Sequence, residues 1–546
     1  MCAARKAANP SEIGIRYQGH PGPSAARDNG RTVRCPGRVT FVSDSGVVEE
    51  PAPDPVAAAA ARRPQAPALI AGDTVLTWAD LDAKVTRAAH FLAGRTAPGD
   101  RVASLLGNTV DFVVTWFATL RAGRVAVPLN PGYTADEVAH AITDAGCALI
   151  VIGQTDELRL GLGESGVRPD FDNAEEVDLP RVAAQDLAVL LYTSGTSGRP
   201  KAAMLTHGAL AANHEQLDRI EPSVVGPDDV VLLAVPFFHA YGLNTGLGSV
   251  AHHAATGVLV DRFDAAETAE LVANHGVTVV VGVPGMYQAW SQLPGGIEAL
   301  RGLRTAVCGA APLDRTTAAR FRAATGKTIL VGYGLTECSP VLTTTAVSDR
   351  GKTGSIGRPL PGVELSLRTR NGVELWRDGT VSPEEDLAEL DLAPPGSAGT
   401  DPGEIVVRGP NLFGGYWPDG AGGPDAQGWW PTGDIAYADA DGDLILVDRI
   451  GELILVNGFN VYPAEIERVL DAHPRVAESA VVGRPDKRTG QHPHAYVVVS
   501  GDPAPSVTEL QVHCAARLAR FKLPTIELVA SLPRSASGKV RKRELA

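Results

Sequence analysis

Short apolar runs alternate with amphipathic helical segments along most of the chain from Val56 onward. A helix start is predicted where Asp80 follows Thr77 by three residues, and Gly94 is a typical helix end. Alternating strands and helices predict an α/β fold with mostly parallel sheets covered by helices. The predicted strands are Val102–Leu106, Val125–Leu129, Ala148–Ile152, Leu187–Tyr192, Val277–Val283 and Leu303–Val307, and the predicted helices include Asp111–Ala122 and Ala135–Ala145.

A smaller α+β domain is predicted from about Asp448 to the end of the chain. Pro463 opens a predicted helix, strand-like runs follow it, and a second helix is expected at Val507–Leu518. With 546 residues and 57.0 kDa, the chain is too long for one ordinary core. Two further stretches, Arg368–Pro402 and Pro418–Gly428, have the composition of loops.

Residues 1–55 are rich in Arg, Pro, Gly and Ser and show no periodicity, so we predict a disordered or non-native N-terminal extension. The alternatives are a start codon upstream of the natural one and an arginine-rich targeting peptide. A secretory signal is disfavoured, because this stretch has no apolar core segment.

Composition and charge exclude several classes of function. A net charge of −14 and a pI near 5.4 argue against nucleic-acid binding, because the phosphate backbone would repel such a surface. No apolar run approaches the roughly 20 residues of a transmembrane helix, although peripheral membrane contact stays open. The six cysteines show no ligand or disulfide spacing, which favours reduced thiols and a cytoplasmic protein.

One loop directly follows the predicted strand Leu187–Tyr192 and has the chemistry of a phosphate cradle. Its glycines let backbone N–H groups converge on an anion, its hydroxyls add donors, and Lys201 adds charge. It is not the common P-loop, because Ala202 stands where a metal-binding hydroxyl would be. The alternative is a solvent-exposed Ser/Gly turn. The loop residues are Thr193, Ser194, Gly195, Thr196, Ser197, Gly198 and Lys201.

Three further motifs would complete a nucleotide site. In the first, an aromatic ring suited to purine stacking is followed by a hydroxyl for phosphate and a carboxylate for Mg²⁺; these residues are Gly332, Tyr333, Gly334, Thr336 and Glu337. The second is Asp434, which with Asp448 and Arg449 could hold ribose hydroxyls, and the third is Lys539 in a glycine-containing loop. Each motif alone is ordinary turn chemistry, whereas all of them in this order are hard to explain as turns.

From Val56 to its end the chain closely resembles the acyl-adenylate-forming superfamily, which includes acyl-CoA synthetases, adenylation domains of peptide synthetases and firefly luciferase. The resemblance implies that a carboxylate attacks MgATP to give acyl-AMP and pyrophosphate, and that a thiol then attacks the acyl-AMP. It places the Thr193–Lys201 loop on the β- and γ-phosphates, Tyr333 along adenine, Thr336 at the α-phosphate, Glu337 on Mg²⁺, Asp434 and Arg449 on ribose, and catalytic Lys539 between the carboxylate and the phosphate.

The resemblance also implies a small mobile C-terminal domain that rotates between the two steps. It divides the chain into a large domain at residues 56–448, a pivot at 449–451 and a small domain at 452–546. Most relatives carry Asp or Lys at the position of Gly451, and glycine should permit the rotation while holding the two end states less firmly. Gly458 and Phe459 match the turn that faces pantetheine in CoA-using members.

The same resemblance locates the acid pocket, which in this chain carries no charged side chain between Ala240 and Ala251 or between Val279 and Trp290. A pocket without fixed charge suits an apolar tail. A fatty acid is favoured, an aryl acid stays open, and His239 could instead be a packed core histidine. The predicted acid-binding residues are His239, Tyr241, Gly242, Met286, Gly309 and Gly332, and Gly309, Ala310 and Ala311 are also assigned to the nucleotide.

Free coenzyme A is the expected acceptor, because no carrier-protein segment follows Lys539 in this sequence. The enzymatic alternative is a ligase that loads a carrier protein in trans. The non-enzymatic alternative is an inactive acyl- or nucleotide-binding sensor. The expected partners are thus ATP, Mg²⁺, coenzyme A and a small carboxylic acid, with a homodimer left open.

Overall fold

The computed structural model describes most of the chain from residue 50 onward. The described residues are 50–153, 166–167, 171, 174–193, 200–348, 352, 354–369, 371–381, 399–449, 452, 454–456, 459–486, 490–501, 503–518, 520–534 and 540–545. The predicted N-terminal extension at residues 1–55 therefore lies almost wholly outside them.

The strands, in chain order, are β1 (Pro67–Ala71), β2 (Thr74–Thr77), β3 (Arg101–Leu105), β4 (Val125–Pro128), β5 (Cys147–Ile152), β6 (Gly166–Val167), β7 (Leu187–Thr193), β8 (Lys201–Thr206), β9 (Val230–Leu233), β10 (Thr256–Leu259), β11 (Val279–Gly282), β12 (Thr305–Cys308), β13 (Leu330–Gly334), β14 (Val341–Thr344), β15 (Arg358–Pro359), β16 (Glu364–Arg368), β17 (Glu374–Arg377), β18 (Thr380–Val381), β19 (Gly403–Arg408), β20 (Trp430–Ala438), β21 (Leu444–Arg449), β22 (Ile454–Val456), β23 (Phe459–Val461), β24 (Val476–Asp486), β25 (Gly490–Val499) and β26 (Thr525–Leu528).

The α-helices are α1 (Pro55–Arg62), α2 (Trp78–Ala93), α3 (Val110–Arg121), α4 (Ala135–Ala145), α5 (His207–Asp218), α6 (Ser249–His253), α7 (Ala265–Asn274), α8 (Pro284–Gln292), α9 (Arg315–Thr325), α10 (Pro463–Asp471) and α11 (Val507–Ala515). A π-helix spans Tyr241–Gly248, and short 3₁₀ helices span Glu298–Gly302, Thr336–Cys338, Arg520–Lys522 and Lys542–Glu544. None of the described helices is both long and apolar enough to cross a membrane.

Two mostly parallel sheets confirm the predicted α/β architecture. The nine-stranded sheet has the order β15-β14-β13-β12-β11-β9-β10-β1-β2, and its central strands from β13 to β1 are parallel. The six-stranded sheet has the order β6-β5-β3-β4-β7-β8, and only β8 runs antiparallel. Central parallel strands are buried on both faces, which explains why Val279–Gly282 is buried along its whole length.

A third sheet, with the order β18-β17-β16-β19-β20-β21, is antiparallel throughout. Its strands β17 and β18 lie inside Arg368–Pro402, so the loop prediction is wrong for this part of that stretch. Leu375 and Trp376 are 3% and 1% exposed, and their burial in the core outweighs the polar composition around them. Residues 382–398 of the same stretch lie outside the described residues.

The last sheet forms the predicted α+β unit. It has the order β23-β22-β25-β24, with β26 parallel to β25. Its apolar core includes Ile466 of α10 and Leu510 of α11, both fully buried. Helix α11 ends at Ala515, somewhat earlier than expected. The boundaries at 448 and 451 stay predictions, because residues 450 and 451 are not described.

The described fold begins just before Val56. Ala52 N donates to Val182 O at 2.8 Å, and Pro51 forms an isolated bridge with Ala183. The Asp54 carboxylate caps α1 and accepts from Arg121 Nε at 2.7 Å. These contacts join the start of α1 to the body of the fold.

Candidate active site

The predicted phosphate loop connects two paired strands. Thr193 at the end of β7 is the register partner of Lys201 at the start of β8, and Thr193 Oγ1 donates to the Lys201 carbonyl at 3.4 Å. The Lys201 ammonium lies 5.1 Å from the centroid of the Tyr416 ring, a cation–π distance. The structure therefore anchors both ends of the loop; Ser194, Gly195, Thr196, Ser197 and Gly198 lie outside the described residues.

Tyr333 contacts Asp434 although about a hundred positions separate them in the chain. The Tyr333 hydroxyl donates to Asp434 Oδ2 at 2.6 Å, and burial raises the pKa of Tyr333 well above its usual value. Tyr333 stays neutral at physiological pH and acts as a donor. Two predicted motifs, one for adenine and one for ribose, thus meet directly.

Glu337 is the second acidic residue of the site and is 7% exposed. It lies in the short helix Thr336–Cys338, directly after half-buried Thr336. Tyr416, which the sequence analysis missed, donates its hydroxyl to Glu337 Oε1 at 2.7 Å. Because Lys201 lies over the ring of Tyr416, this tyrosine links the phosphate loop to the predicted Mg²⁺ ligand.

Strand pairing places Asp434 opposite Arg449, and Asp434 is 1% exposed. Asp434 N donates to Thr432 Oγ1 at 3.1 Å, so the Thr-Gly-Asp turn holds its own backbone. Glu404 lies nearby; its pKa is raised, first by burial and further by the negative charge of Asp434. Only the backbone of Arg449 is described, and its contact with ribose stays a prediction.

Three of the predicted acid-binding residues, Tyr241, Gly309 and Met286, lie close to the ends of β11 and β12. The ring of Tyr241 lies against Gly309, where an added Cβ would be 2.9 Å from Tyr241 Cζ. The Tyr241 hydroxyl donates to the Gly282 carbonyl at 3.3 Å, and burial raises its pKa well above the usual value. Tyr241 is therefore a neutral aromatic wall that touches Gly309.

The other predicted acid-binding residues differ in their burial and in their contacts. His239 is half-buried and packs its ring at 4.6 Å from that of Phe238. An added Cβ at Gly242 would lie 2.4 Å from the Pro236 carbonyl oxygen, so only glycine fits there. Met286 is 3% exposed, Gly332 is half-buried in β13, Gly309 is buried, and Ala310 and Ala311 are exposed directly after β12.

Several predicted site residues lie outside the described part of the chain: Lys539, Gly451 and Gly458. Of Phe459 only the backbone is described, in β23. Among the described residues, the structure brings Tyr333 to Asp434, Tyr416 to Glu337 and Lys201, and Tyr241 to Gly309. The binding roles of these residues stay predictions, as do the roles of the pivot, the pantetheine turn and the terminal lysine.

Glu337 has the chemistry of a magnesium ligand. Hard carboxylate oxygens are preferred by Mg²⁺, and the Tyr416 hydroxyl donates to Oε1, one of the two carboxylate oxygens of Glu337. The carboxylate would supply charge to hold the metal beside a nucleotide. The residues present thus fit a phosphate-bound Mg²⁺.

Comparison with known proteins decides the family. Residues 56–417 match the family described as AMP-binding enzyme, and residues 465–539 match the AMP-binding enzyme C-terminal domain. The chain belongs to the AMP-binding enzyme family. The matched residues include the motifs at Lys201, Tyr333 and Glu337.

Its relatives cover nearly the whole chain. The chain is 36% identical over 505 residues to a feruloyl-CoA synthase of an Amycolatopsis species, covering 88% of this chain and 96% of the relative. It is 34% identical over 514 residues to the fatty acid–[acyl-carrier-protein] ligase ScoC of Streptomyces coeruleorubidus, covering 89% and 94%. The crystal structure of ATP-bound MatB from Rhodopseudomonas palustris is 31% identical, with a TM-score of 0.78 and coverage of 88% and 95%.

These similarities establish an acyl-adenylate-forming ligase family, whose members bind ATP. The names of the relatives differ in the acid and in the acceptor. The substrate of this chain must therefore be argued from the residues of its own predicted pocket.

Proposed function

We propose that the protein activates an apolar carboxylic acid, with a fatty acid as the first candidate, and transfers the acyl group to coenzyme A. The observation that carries this proposal is the set of contacts Tyr333–Asp434 and Lys201–Tyr416–Glu337, which link the residues predicted to bind adenine, ribose, phosphate and Mg²⁺. The pocket residues beside it bear no charge. An ionic second carboxylate or an amino group would have no partner among them.

In the first step, a substrate carboxylate oxygen forms a bond to the α-phosphorus of ATP while the bond to the pyrophosphate oxygen breaks. The ionised carboxylate needs no base, so the residues orient the reactants and balance charge. We assign Tyr333 to adenine, Asp434 to ribose and Thr336 to the α-phosphate. Lys201 and the loop before it hold the departing phosphates, Glu337 holds Mg²⁺, which screens phosphate charge when bound, and Lys539 neutralises charge at the attacking carboxylate.

In the second step, the thiol sulfur of coenzyme A attacks the acyl carbon and the bond to the AMP oxygen breaks. The thiol proton is released, and AMP leaves with its phosphate ionised. We propose that the domain at residues 452–546 turns about the pivot 449–451 between the steps and brings Gly458 and Phe459 to pantetheine. A homodimer and a cytoplasmic location stay predictions.

An aryl acid is the second candidate for the substrate. The aromatic wall of Tyr241 lies against Gly309 and its hydroxyl reaches the Gly282 carbonyl, which gives a flat surface at the side of the pocket. The feruloyl-CoA synthase, at 36% identity, also favours this class. The similarity to ScoC keeps a carrier-protein acceptor as the alternative to coenzyme A.

The test incubates the purified protein with ATP, Mg²⁺ and saturated fatty acids of increasing length, ferulate, benzoate and malonate. We expect acid-dependent pyrophosphate release with a fatty acid, thioester formation only with coenzyme A, and no reaction with malonate. A preference for ferulate would select the aryl candidate, and thioester formation only on a carrier protein would select that acceptor. If no acid supports AMP formation, the protein is not this enzyme, and the inactive-sensor alternative holds.

The Lys539→Ala variant tests the division between the two steps. It should lose adenylation and keep thioester formation from supplied acyl-AMP. Equal loss of both half-reactions would contradict the rotating domain. Full turnover in a Gly451→Pro variant would count against a pivot at that position.

A further inference from the structure

The backbone that directly follows Glu337 is held by side-chain amides. Ser339, in this segment, is fully buried and has a positive φ of 65°, an unusual conformation for a residue with a side chain. Three buried side-chain amides donate hydrogen bonds to backbone carbonyls of this segment. Asn411 donates to the Cys338 carbonyl at 2.8 Å, Asn244 to the Ser339 carbonyl at 2.7 Å and Asn213 to the Val341 carbonyl at 2.9 Å. We call these the amide clamp. The clamp fixes the chain that carries Thr336 and Glu337.

Asn244 differs from the other two amides in the element that carries it. It lies in the π-helix Tyr241–Gly248, whose first two residues belong to the predicted acid pocket. π-Helical turns are rare and are often found at functional sites. A single side chain thus joins the acid pocket to the segment after Glu337.

The orientation of Asn244 is fixed by two further hydrogen bonds. Its Nδ2 also donates to the Leu210 carbonyl at 3.1 Å, and its Oδ1 lies 2.9 Å from His214 Nε2. Burial lowers the pKa of His214 to about 3, so the imidazole is neutral at physiological pH. A neutral His214 with its proton on Nε2 donates to Asn244 Oδ1, which leaves the Asn244 amide hydrogens for the two carbonyls.

The alternative is that the amide clamp only supplies hydrogen-bond donors to buried backbone carbonyls, and that Asn244 has no role in acid binding. Asn213 and Asn411 are bridged by Gln216, which accepts from Asn213 Nδ2 at 3.2 Å and donates to Asn411 Oδ1 at 3.0 Å. Neither asparagine belongs to the π-helix. If the role of the clamp is only structural, replacing Asn213 and replacing Asn244 should have the same effect on nucleotide binding. An experiment can distinguish the two cases.

We propose that Asn244 is a positioning residue that couples acid binding to the placement of Thr336 and Glu337. The inference rests on the proposed function, because it needs the acid to contact Tyr241 and Gly242. An acid that packs there favours one position of the π-helix, and Asn244 holds the Ser339 carbonyl in the matching position. Acid and nucleotide then strengthen each other's binding, since coupling between two sites is reciprocal.

The experiment first identifies, by ATP–pyrophosphate exchange, the best acid for the wild-type protein. Calorimetry then measures the Kd of Mg²⁺ with α,β-methylene-ATP, with and without that acid. We expect the acid to tighten nucleotide binding at least about 5-fold in the wild type. In Asn244→Leu this factor should fall to less than about 2-fold. The matched control, Asn213→Leu, removes similar buried hydrogen bonds from α5 and should lower the melting temperature while keeping the factor.

The outcomes separate the two claims. Absence of exchange with every acid overturns the proposed function and this inference together. Exchange without any effect of acid on nucleotide affinity in the wild type overturns the inference alone, and so does an unchanged factor in Asn244→Leu. If Asn244→Leu does not fold, as judged by the absence of cooperative unfolding, Asn244→Ser takes its place. This variant removes the same two donated hydrogen bonds with a smaller side chain. An unchanged effect of the acid on nucleotide affinity in Asn244→Ser also overturns the inference.

Discussion

Replacing Gly334 by alanine tests whether the turn between Tyr333 and Thr336 requires a glycine. A Cβ built at Gly334 lies 1.8 Å from the Pro340 carbonyl oxygen and 2.8 Å from its carbon, well below the 3.0 Å that real Cβ atoms keep. The obstructing atoms are backbone and cannot rotate away. The backbone at Gly334 or at Pro340 must therefore move by roughly 1 Å.

The expected loss follows from that displacement. Overpacking of this kind destabilises a protein by about 1–3 kcal/mol. Thr336 lies two residues after Gly334, and misplacing reacting groups by about 1 Å can lower a rate about 100-fold. We therefore expect Gly334→Ala to lower kcat/KM for adenylation about 100-fold, which corresponds to about 2.7 kcal/mol of transition-state free energy.

The assay is acid-dependent ATP–pyrophosphate exchange, paired with thermal unfolding. Gly302→Ala is the matched control, because its added Cβ would meet no described atom within 4 Å and Gly302 has no predicted binding role. It should keep the melting temperature and the affinity for ATP. An exchange rate in Gly334→Ala within 3-fold of the wild type would refute the reasoning from this close approach.

Three further predictions concern single contacts. Tyr333→Phe keeps the ring but removes the 2.6 Å bond to Asp434, so chemical denaturation should show a loss of about 1.5–3 kcal/mol; no measurable loss would contradict it. Gly309→Ala pushes against Tyr241 at 2.9 Å, and the relative kcat/KM of fatty and aryl acids should shift about 10-fold, whereas an unchanged ratio would contradict contact with substrate. Burial lowers the pKa of His214 from 6.5 to about 3, so between these values the unfolded chain binds a proton that the folded chain does not. The free energy of unfolding should therefore fall as pH decreases through this window, and denaturation at a series of pH values should show a smaller slope in His214→Gln.

Local patterns predicted the parallel sheets and the bounds of individual helices well. The capping box of Thr77 and Asp80 is present, and helix Ala135–Ala145 has the predicted bounds. These features depend on neighbouring residues, so a single sequence encodes them. Composition failed around Glu374–Arg377, where burial of Leu375 and Trp376 makes a strand inside a polar stretch.

Residues that act through distant partners could not be found in this way. Tyr416 contacts Glu337 from 79 positions away, and Asn244 contacts Ser339 from 95. The residues next to Tyr416 and Asn244 in the sequence do not indicate these contacts. A tyrosine after two glycines and an asparagine in an apolar run both occur in many proteins without a functional role. Their pairing depends on how the sheets pack, which periodicity does not specify.

The pairing of Thr193 with Lys201 has a consequence for how this protein can tolerate mutation. Both ends of the phosphate loop belong to an antiparallel ladder, and the buried residues of that ladder lie in β7 and β8. Doubling the length of a connection between fixed ends costs only roughly 0.6 kcal/mol of closure entropy. Substitutions and insertions between Thr193 and Lys201 should therefore change the catalytic rate and leave the stability of the fold almost unchanged. Mutations in the buried parts of β7 and β8 should instead lower the amount of folded protein.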